Sequence, residues 1–335
     1  MKKIINNPKD FVDEALEGIL YAYQNQLTCL NGDKRIILNK NKAKNGKVSI
    51  VTAGGSGHLP MFLGYVGQGM LDGCVAGNVF ASPSAKRMAD MIRACDHGNG
   101  VLCLFGNYGG DKMNFEMACD MVGLEGIKTR IVTVNDDVAS SSKAMSAKRR
   151  GVAGMVYAFK VASAAAESLK SLDEVANVTE YAINNIRSMG VALSPCILPE
   201  VGEPSFHIND NEIEVGMGIH GEPGIEVCPM MNADEITKVI LDKIDQDMPL
   251  KSGDEVSVLI NGLGATPLEE LLIVYRKVYL VLKEKGVTVF MPHVGEFATS
   301  MEMAGFSITI FKLDEQLKYY LSIPANTPFY TNLNK

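Results

Sequence analysis

One unit keeps returning along this chain: an apolar run of strand length, a glycine-rich turn, and an amphipathic run of helix length. It is seen in "KVSIVTAGGSGHLPMFLGYVG", in "GVLCLFGNYGGDKMNFEMACDMV", in "IKTRIVTVNDDVASSSKAMSAKRRGVAGMVYAFKVASAAAESL" and in "DEVSVLINGLGATPLEELLIVYRKVYL". Strands that are apolar at nearly every position need cover on both faces. Strands alternating with helices supply that cover, so the pattern predicts an α/β fold, with a mostly parallel sheet in the first half.

At 335 residues the chain exceeds one ordinary core. Two domains are expected, each a sheet flanked by helices, over 1–185 and 186–335. Asn7-Pro8 ahead of Phe11, Ala15, Leu16, Ile19 and Leu20 reads as a capped amphipathic helix. Residues 31–46 read as a polar loop with a short ribbon near Arg35–Leu38. The stretch after the first glycine turn, into "MFLGYVGQGM", reads as a helix. "SLDEVANVTEYAINNIRSMG" reads as a helix ending at Gly190, and the second half restarts at "VALSPCIL". Ligands of open α/β sheets bind where strands deliver loops at their carboxyl ends. The turns after Thr52, Phe105, Gly216 and Asn261 qualify and come from both halves, so a ligand site between the domains is expected.

Composition narrows the classes. Hydrophobic residues make up 47% and charged residues 21%, as in soluble globular proteins. No run approaches the ~18 apolar residues of a membrane span, and the start shows no secretory pattern. Seven cysteines without a CxxC pair suit a reducing, cytoplasmic setting. A net charge of −7 argues against direct nucleic-acid binding. The five histidines show no HxH or HExxH pattern, so no metal is expected.

Five motifs bear on candidate chemistry. "AGGSGHLP" (53–60) holds Gly54, Gly55 and His58; its N–H groups suit an anion or carbonyl oxygen, or the turn simply packs strand on helix. It is neither a P-loop nor a nucleophile elbow. "GNYGGDKMNF" (106–115) places Asp111 at a helix start, as an N-cap or as a carboxylate accepting a hydroxyl proton. "NGLGATP" (261–267) has Pro267 where a dinucleotide fingerprint needs its third glycine. "NDDVA" (135–139) with "RRGVAG" (149–154) is accounted for by caps and a salt bridge. "GMGIHGEPGIE" (216–226) sets His220 among glycines that let a ligand approach its ring. Acid–base work or nucleophilic attack by a neutral imidazole is the chemistry left to it.

Taken together these blocks, with "GNVFASPS" and "GEFATSMEMAGFSIT", resemble the K-subunit family of dihydroxyacetone kinases nearly end to end. The resemblance implies that His220 forms a covalent hemiaminal with dihydroxyacetone through Nε2. It implies that Gly54 and Gly55 meet the ligand with their backbone, that His58 hydrogen-bonds it, and that Asp111 accepts from a hydroxyl. It also implies a homodimer without a cofactor of its own, the phosphoryl donor being carried by separate L and M subunits. Two positions depart from the kinase pattern: Gly106 stands where kinases carry lysine, and Leu59 where they carry glutamate. Those departures favour a coactivator of a TetR-type regulator, similar to the non-kinase paralogues of this family, with a working kinase subunit as the alternative.

Overall fold

The structure is a computed structural model and describes residues 2–41 and 46–333. The chain divides into two units, one of Met1–Val134, Val156–Ala182 and Leu317–Lys335, the other of Asn135–Met155 and Ile183–Gln316. The crossing at 182/183 lies beside the boundary read from the sequence. Those at 134/135, 155/156 and 316/317 have no marker in composition.

In the first unit a six-stranded sheet runs in the order Leu27–Leu30, Asp33–Asn39, Gly73–Val79, Ser49–Ser56, Val101–Gly106, Thr129–Val134. The last four strands are mutually parallel, and the first two form an antiparallel hairpin on one edge. That hairpin occupies much of the expected polar loop, of which residues 42–45 lie outside the described residues. Its turn is Asn31-Gly32, both at positive φ (50° and 82°). An Asn-Gly pair of this kind closes a two-residue hairpin with the twist its strands need. Helices Ala85–Cys95 and Gly109–Gly123 cover the sheet with Met88, Ala89, Met91, Ile92, Phe115, Ala118 and Val122. Phe105 and Phe115 stack with centroids 4.4 Å apart.

The helix expected after "AGGSGHLP" is absent. The strand runs on through Gly54 and Gly55 to Ser56, and beyond it only a 3-10 turn, Leu63–Tyr65, forms. Gly67 and Gly69, both at positive φ, press this segment against 324–327, where a Cβ on Gly69 would lie 2.3 Å from the Pro324 carbonyl oxygen. At the chain start the reading is met: Asn7 caps Pro8–Asp10 by accepting from the Lys9 N–H, and Phe11–Ala22 follows as the α-helix.

In the second unit the sheet order is Thr288–Val289, Glu255–Gly262, Ala304–Leu313, Ile186–Ser194, Glu212–Val215, Glu226–Pro229, with His293–Gly295 also on Glu255–Gly262. Only the short 288–289 and 293–295 segments pair in parallel; the rest is antiparallel. The predicted helix to Gly190 stops at Asn184, and Ile186–Ser194 is a strand with Gly190 opposite Ser307. Helices Ala233–Asp247 and Leu268–Glu284 lay Ile236, Ile240, Ile244 and Leu271, Val274, Val278, Leu282 onto the core. A capping box between Asn232 and Glu235 starts the first of them.

Candidate functional site

His220 follows the strand Glu212–Val215 in a turn built against itself. The Gly218 N–H donates to the Glu222 carbonyl at 3.0 Å, and the Gly221 N–H to the Gly218 carbonyl at 3.1 Å. The carboxylate of Glu222 then reaches back. One oxygen accepts the His220 backbone N–H at 3.0 Å, and the other lies 2.8 Å from Nδ1. An ionised carboxylate can only accept, so the contact places a proton on Nδ1; in the neutral ring that tautomer leaves the lone pair on Nε2. Burial alone pushes the Glu222 carboxyl up, but the hydrogen bond and charge of His220, with Arg150 near, outweigh it and hold the group at about 2.

The glycines here have a structural reason beyond ligand access. A Cβ on Gly218 would fall 2.1 Å from Glu222 Oε2, and one on Gly224 would fall 2.2 Å from the Val215 carbonyl oxygen. Gly221 sits at φ 83°, a conformation that costs a side chain strain. Room for the carboxylate behind the ring is therefore one function of the glycine pattern.

The salt bridge expected within 135–154 forms between Asp137 and Arg150, and its arginine reaches beyond that segment. Asp136 is buried and accepts from Val152 and Gly154 at 2.8 and 2.9 Å. Asp137 pairs with Arg150 at 2.8 Å, and Arg150 donates to the Gly216 carbonyl at 3.0 Å. Sequence reasoning missed that this pair reaches the His220 loop. Residues 66 positions apart in sequence, as Arg150 and Gly216 are, carry no local signal of contact. The role of Glu222 was readable in principle, because it stands two positions from a histidine in a glycine turn.

The other predicted residues lie in the first unit. Gly54 and Gly55 are strand residues, not turn residues. A Cβ on Gly54 would lie 2.0 Å from the Phe62 ring, and one on Gly55 2.7 Å from the Ala81 nitrogen. The turn begins at Gly57, φ 101°. His58 is fully buried, stacked on Phe80 at 4.9 Å and met edge-on by Phe62 at 6.2 Å. Asp111 is buried in the first turn of Gly109–Gly123, but the N-cap position belongs to Tyr108, so the capping alternative for Asp111 fails. Asn114 ties this helix start to the 82–83 segment through the Ser82 hydroxyl at 3.1 Å and the Pro83 carbonyl at 2.9 Å. Gly106 ends its strand buried, and Leu59 is 36% exposed. "NGLGATP" is closed by its own chain: Asn261 binds the 297–298 backbone, and a Cβ on Gly264 would strike the Met301 carbonyl oxygen at 1.7 Å. No helix among the described residues is long and apolar enough to cross a membrane.

Comparison with known proteins adds four findings. Residues 17–329 match the Dak1 domain family. The chain is 43% identical over 330 residues to the PTS-dependent dihydroxyacetone kinase 2, dihydroxyacetone-binding subunit DhaK, of Listeria innocua, covering 98% of this chain and 99% of that protein. Among solved structures, the dihydroxyacetone kinase operon co-activator Dha-DhaQ is similar with a TM-score of 0.89 and 32% identity, over 95% of this chain and 98% of that one. The native dihydroxyacetone kinase of C. freundii is similar with a TM-score of 0.90 and 30% identity, over 99% of this chain and 60% of that one.

Proposed function

Because this chain belongs to the Dak1 domain family, we propose that it binds dihydroxyacetone through a reversible bond from His220 Nε2, as the ketone-binding subunit of a phosphotransferase-dependent kinase. The observation that carries the reading is the 2.8 Å contact between His220 Nδ1 and Glu222 Oε1. It leaves the Nε2 lone pair as the ring's nucleophile. Attack on the carbonyl carbon forms the C–N bond. The carbonyl π pair moves to oxygen, which takes a proton from solvent, and the positive charge left on the ring is offset by the Glu222 carboxylate beside Nδ1. The product is a hemiaminal that retains every atom of the ketone. A small ketone offers few atoms for binding, and even the best tiny ligands reach only about 1.5 kcal/mol per heavy atom. A covalent bond adds affinity and rejects glycerol, which has no carbonyl.

His58 and Asp111 are the proposed partners of the substrate hydroxyls, with Asp111 as the base for the hydroxyl that receives the phosphoryl group. Gly54 and Gly55 offer backbone to the ligand. The donor chemistry belongs to separate L and M subunits, so this chain brings no cofactor. The end-to-end identity with a kinase subunit supports this order of readings. A second reading, coactivation of a TetR-type regulator in the cytoplasm, is favoured by Gly106 and Leu59. They remove a cation and a carboxylate from the expected transfer site, where cationic stabilisation governs rate. The discriminating experiment is phosphoryl transfer to dihydroxyacetone with the partner subunits present. Turnover that needs this chain is expected. No turnover, together with ketone-dependent capture of a TetR-type regulator, replaces the kinase reading with the second.

A further inference from the structure

Behind the Glu222 carboxylate stands a guanidinium that the proposed reaction does not yet use. Arg150 Nε and Nη2 both lie on Asp137 Oδ2, at 2.9 and 2.8 Å. Nη2 also donates to the Gly216 carbonyl at 3.0 Å, and Nη1 lies 3.9 Å from Glu222 Oε2. The Arg150 backbone is fixed as well. Its N–H donates to the Ser140 hydroxyl at 3.0 Å, and its carbonyl accepts the Asp137 N–H at 3.1 Å. The side chains of Arg150 and Asp137 are only 13% and 3% exposed, so solvent screens this group poorly. Gly218 lies in the same gap, where a Cβ would fall 2.5 Å from Arg150 Nη1 as well as on the Glu222 carboxylate.

Resting on the reading of His220 as the ketone's anchor, we propose that Arg150, fixed by Asp137, is the positioning residue of that histidine. It holds the entrance of the loop at Gly216 and keeps Glu222 charged and aimed at Nδ1. Gly218 is glycine to leave the space between arginine and carboxylate open. The tautomer is what depends on this. In water a histidine side chain prefers its proton on Nε2, the form in which that nitrogen cannot attack a carbonyl. An anion fixed beside Nδ1 reverses the preference. Without the guanidinium, Glu222 loses the cation 3.9 Å from its Oε2, and the loop loses its tie at the Gly216 carbonyl. The carboxylate then turns away or takes up a proton, and the ring reverts to the unreactive tautomer. Lysine is a poor substitute, since a point charge cannot serve Asp137, Gly216 and Glu222 in one plane.

The test reads the ring nitrogens of the unliganded protein by NMR, with the other four histidines (58, 97, 207, 293) as internal controls. It then titrates carbonyl-labelled dihydroxyacetone. Wild type is expected to show Nδ1 protonated and Nε2 unprotonated at His220. Arg150→Met should shift His220 toward the opposite tautomer and weaken ketone binding roughly tenfold or more. Arg150→Lys should recover part of both. Gly218→Ala leaves every charged group in place and should shift the tautomer in the same direction; it carries the test if Arg150→Met does not fold. A wild-type tautomer and wild-type affinity in Arg150→Met, or in Gly218→Ala in its stead, overturns the proposal. If wild type binds no ketone at all, the anchor reading fails, while the tautomer measurement still decides the role of Arg150.

Discussion

Glu222 decides what the His220 ring can do, and its charge can be removed without changing its shape. Glu222→Gln keeps a hydrogen-bond acceptor behind Nδ1 but loses the anion that offsets the charge arriving on the ring. A hydrogen bond to a charged group contributes about 1.5–3 kcal/mol. Ketone affinity measured by titration should therefore fall roughly ten- to a hundredfold; an unchanged affinity contradicts the role. The same carboxylate makes stability depend on acid. An unfolded glutamate takes up its proton near pH ~4.3, and the folded one only near 2. The stability it contributes is complete above the unfolded value and is lost as pH falls toward 2. Denaturation curves across that interval should steepen less with pH in Glu222→Gln than in wild type. Lys160 works at the other end of the scale. It is fully buried, donates from Nζ to the Tyr320 carbonyl at 2.8 Å, and is lowered by burial to about 7. An unfolded lysine holds its proton to ~10.4. The unfolded chain therefore binds the extra proton between these values, and stability rises with pH from 7 toward 10. Lys160→Met should flatten that rise, and an unaltered slope would show that another group causes it.

The helix Gly109–Gly123 shows how packing sets a site. Phe115, stacked on Phe105, pins its inner face to the strand Val101–Gly106, and the loop between them carries Asn107 and Tyr108 into the turn that holds Asp111. Phe115→Ala should cost about 3–5 kcal/mol in chemical denaturation; a cost under about 1 kcal/mol would mean the stack is not part of this support. The apolar strands, the helices of both cores and the histidine turn were legible because periodicity and glycine spacing are local signals. The strand Ile186–Ser194 was not, because its polar start continues a helical pattern. Only its partners Ala304–Leu313 and Glu212–Val215 make an extended chain favourable there. The missing helix after His58 has a similar cause. Apolar residues in "MFLGYVG" suit a helix, but Gly67 and Gly69 take positive φ to pack on 324–327, which no local rule anticipates. Of the candidate residues, His58, Asp111 and His220 were singled out from residue type and turn; a salt bridge between 135–139 and 149–154 was expected too, but that the Asp137–Arg150 pair reaches Gly216 became visible only once the chain was folded.

At the scale of the whole molecule, residues 135–155 leave the first unit to lie with the second, and 317–335 return to the first. Each unit is therefore assembled from segments distant in sequence. The two functional readings also part at this scale, since both use the same ketone and differ in the partner that receives the signal or the phosphoryl group. Steady-state transfer with the partner subunits should be faster in the double variant Gly106→Lys with Leu59→Glu than in wild type, because the lysine restores a cation for phosphoryl transfer. A rate that does not change removes those two positions from the case for a coactivator. Both readings rest on one bond, and that bond is directly observable. Carbonyl-labelled dihydroxyacetone, bound to protein carrying nitrogen-labelled histidine, should give a tetrahedral carbon with a one-bond coupling to a ring nitrogen in wild type and none in His220→Ala. A bound ketone that stays trigonal in wild type, or a coupled tetrahedral carbon that survives in His220→Ala, would contradict the account.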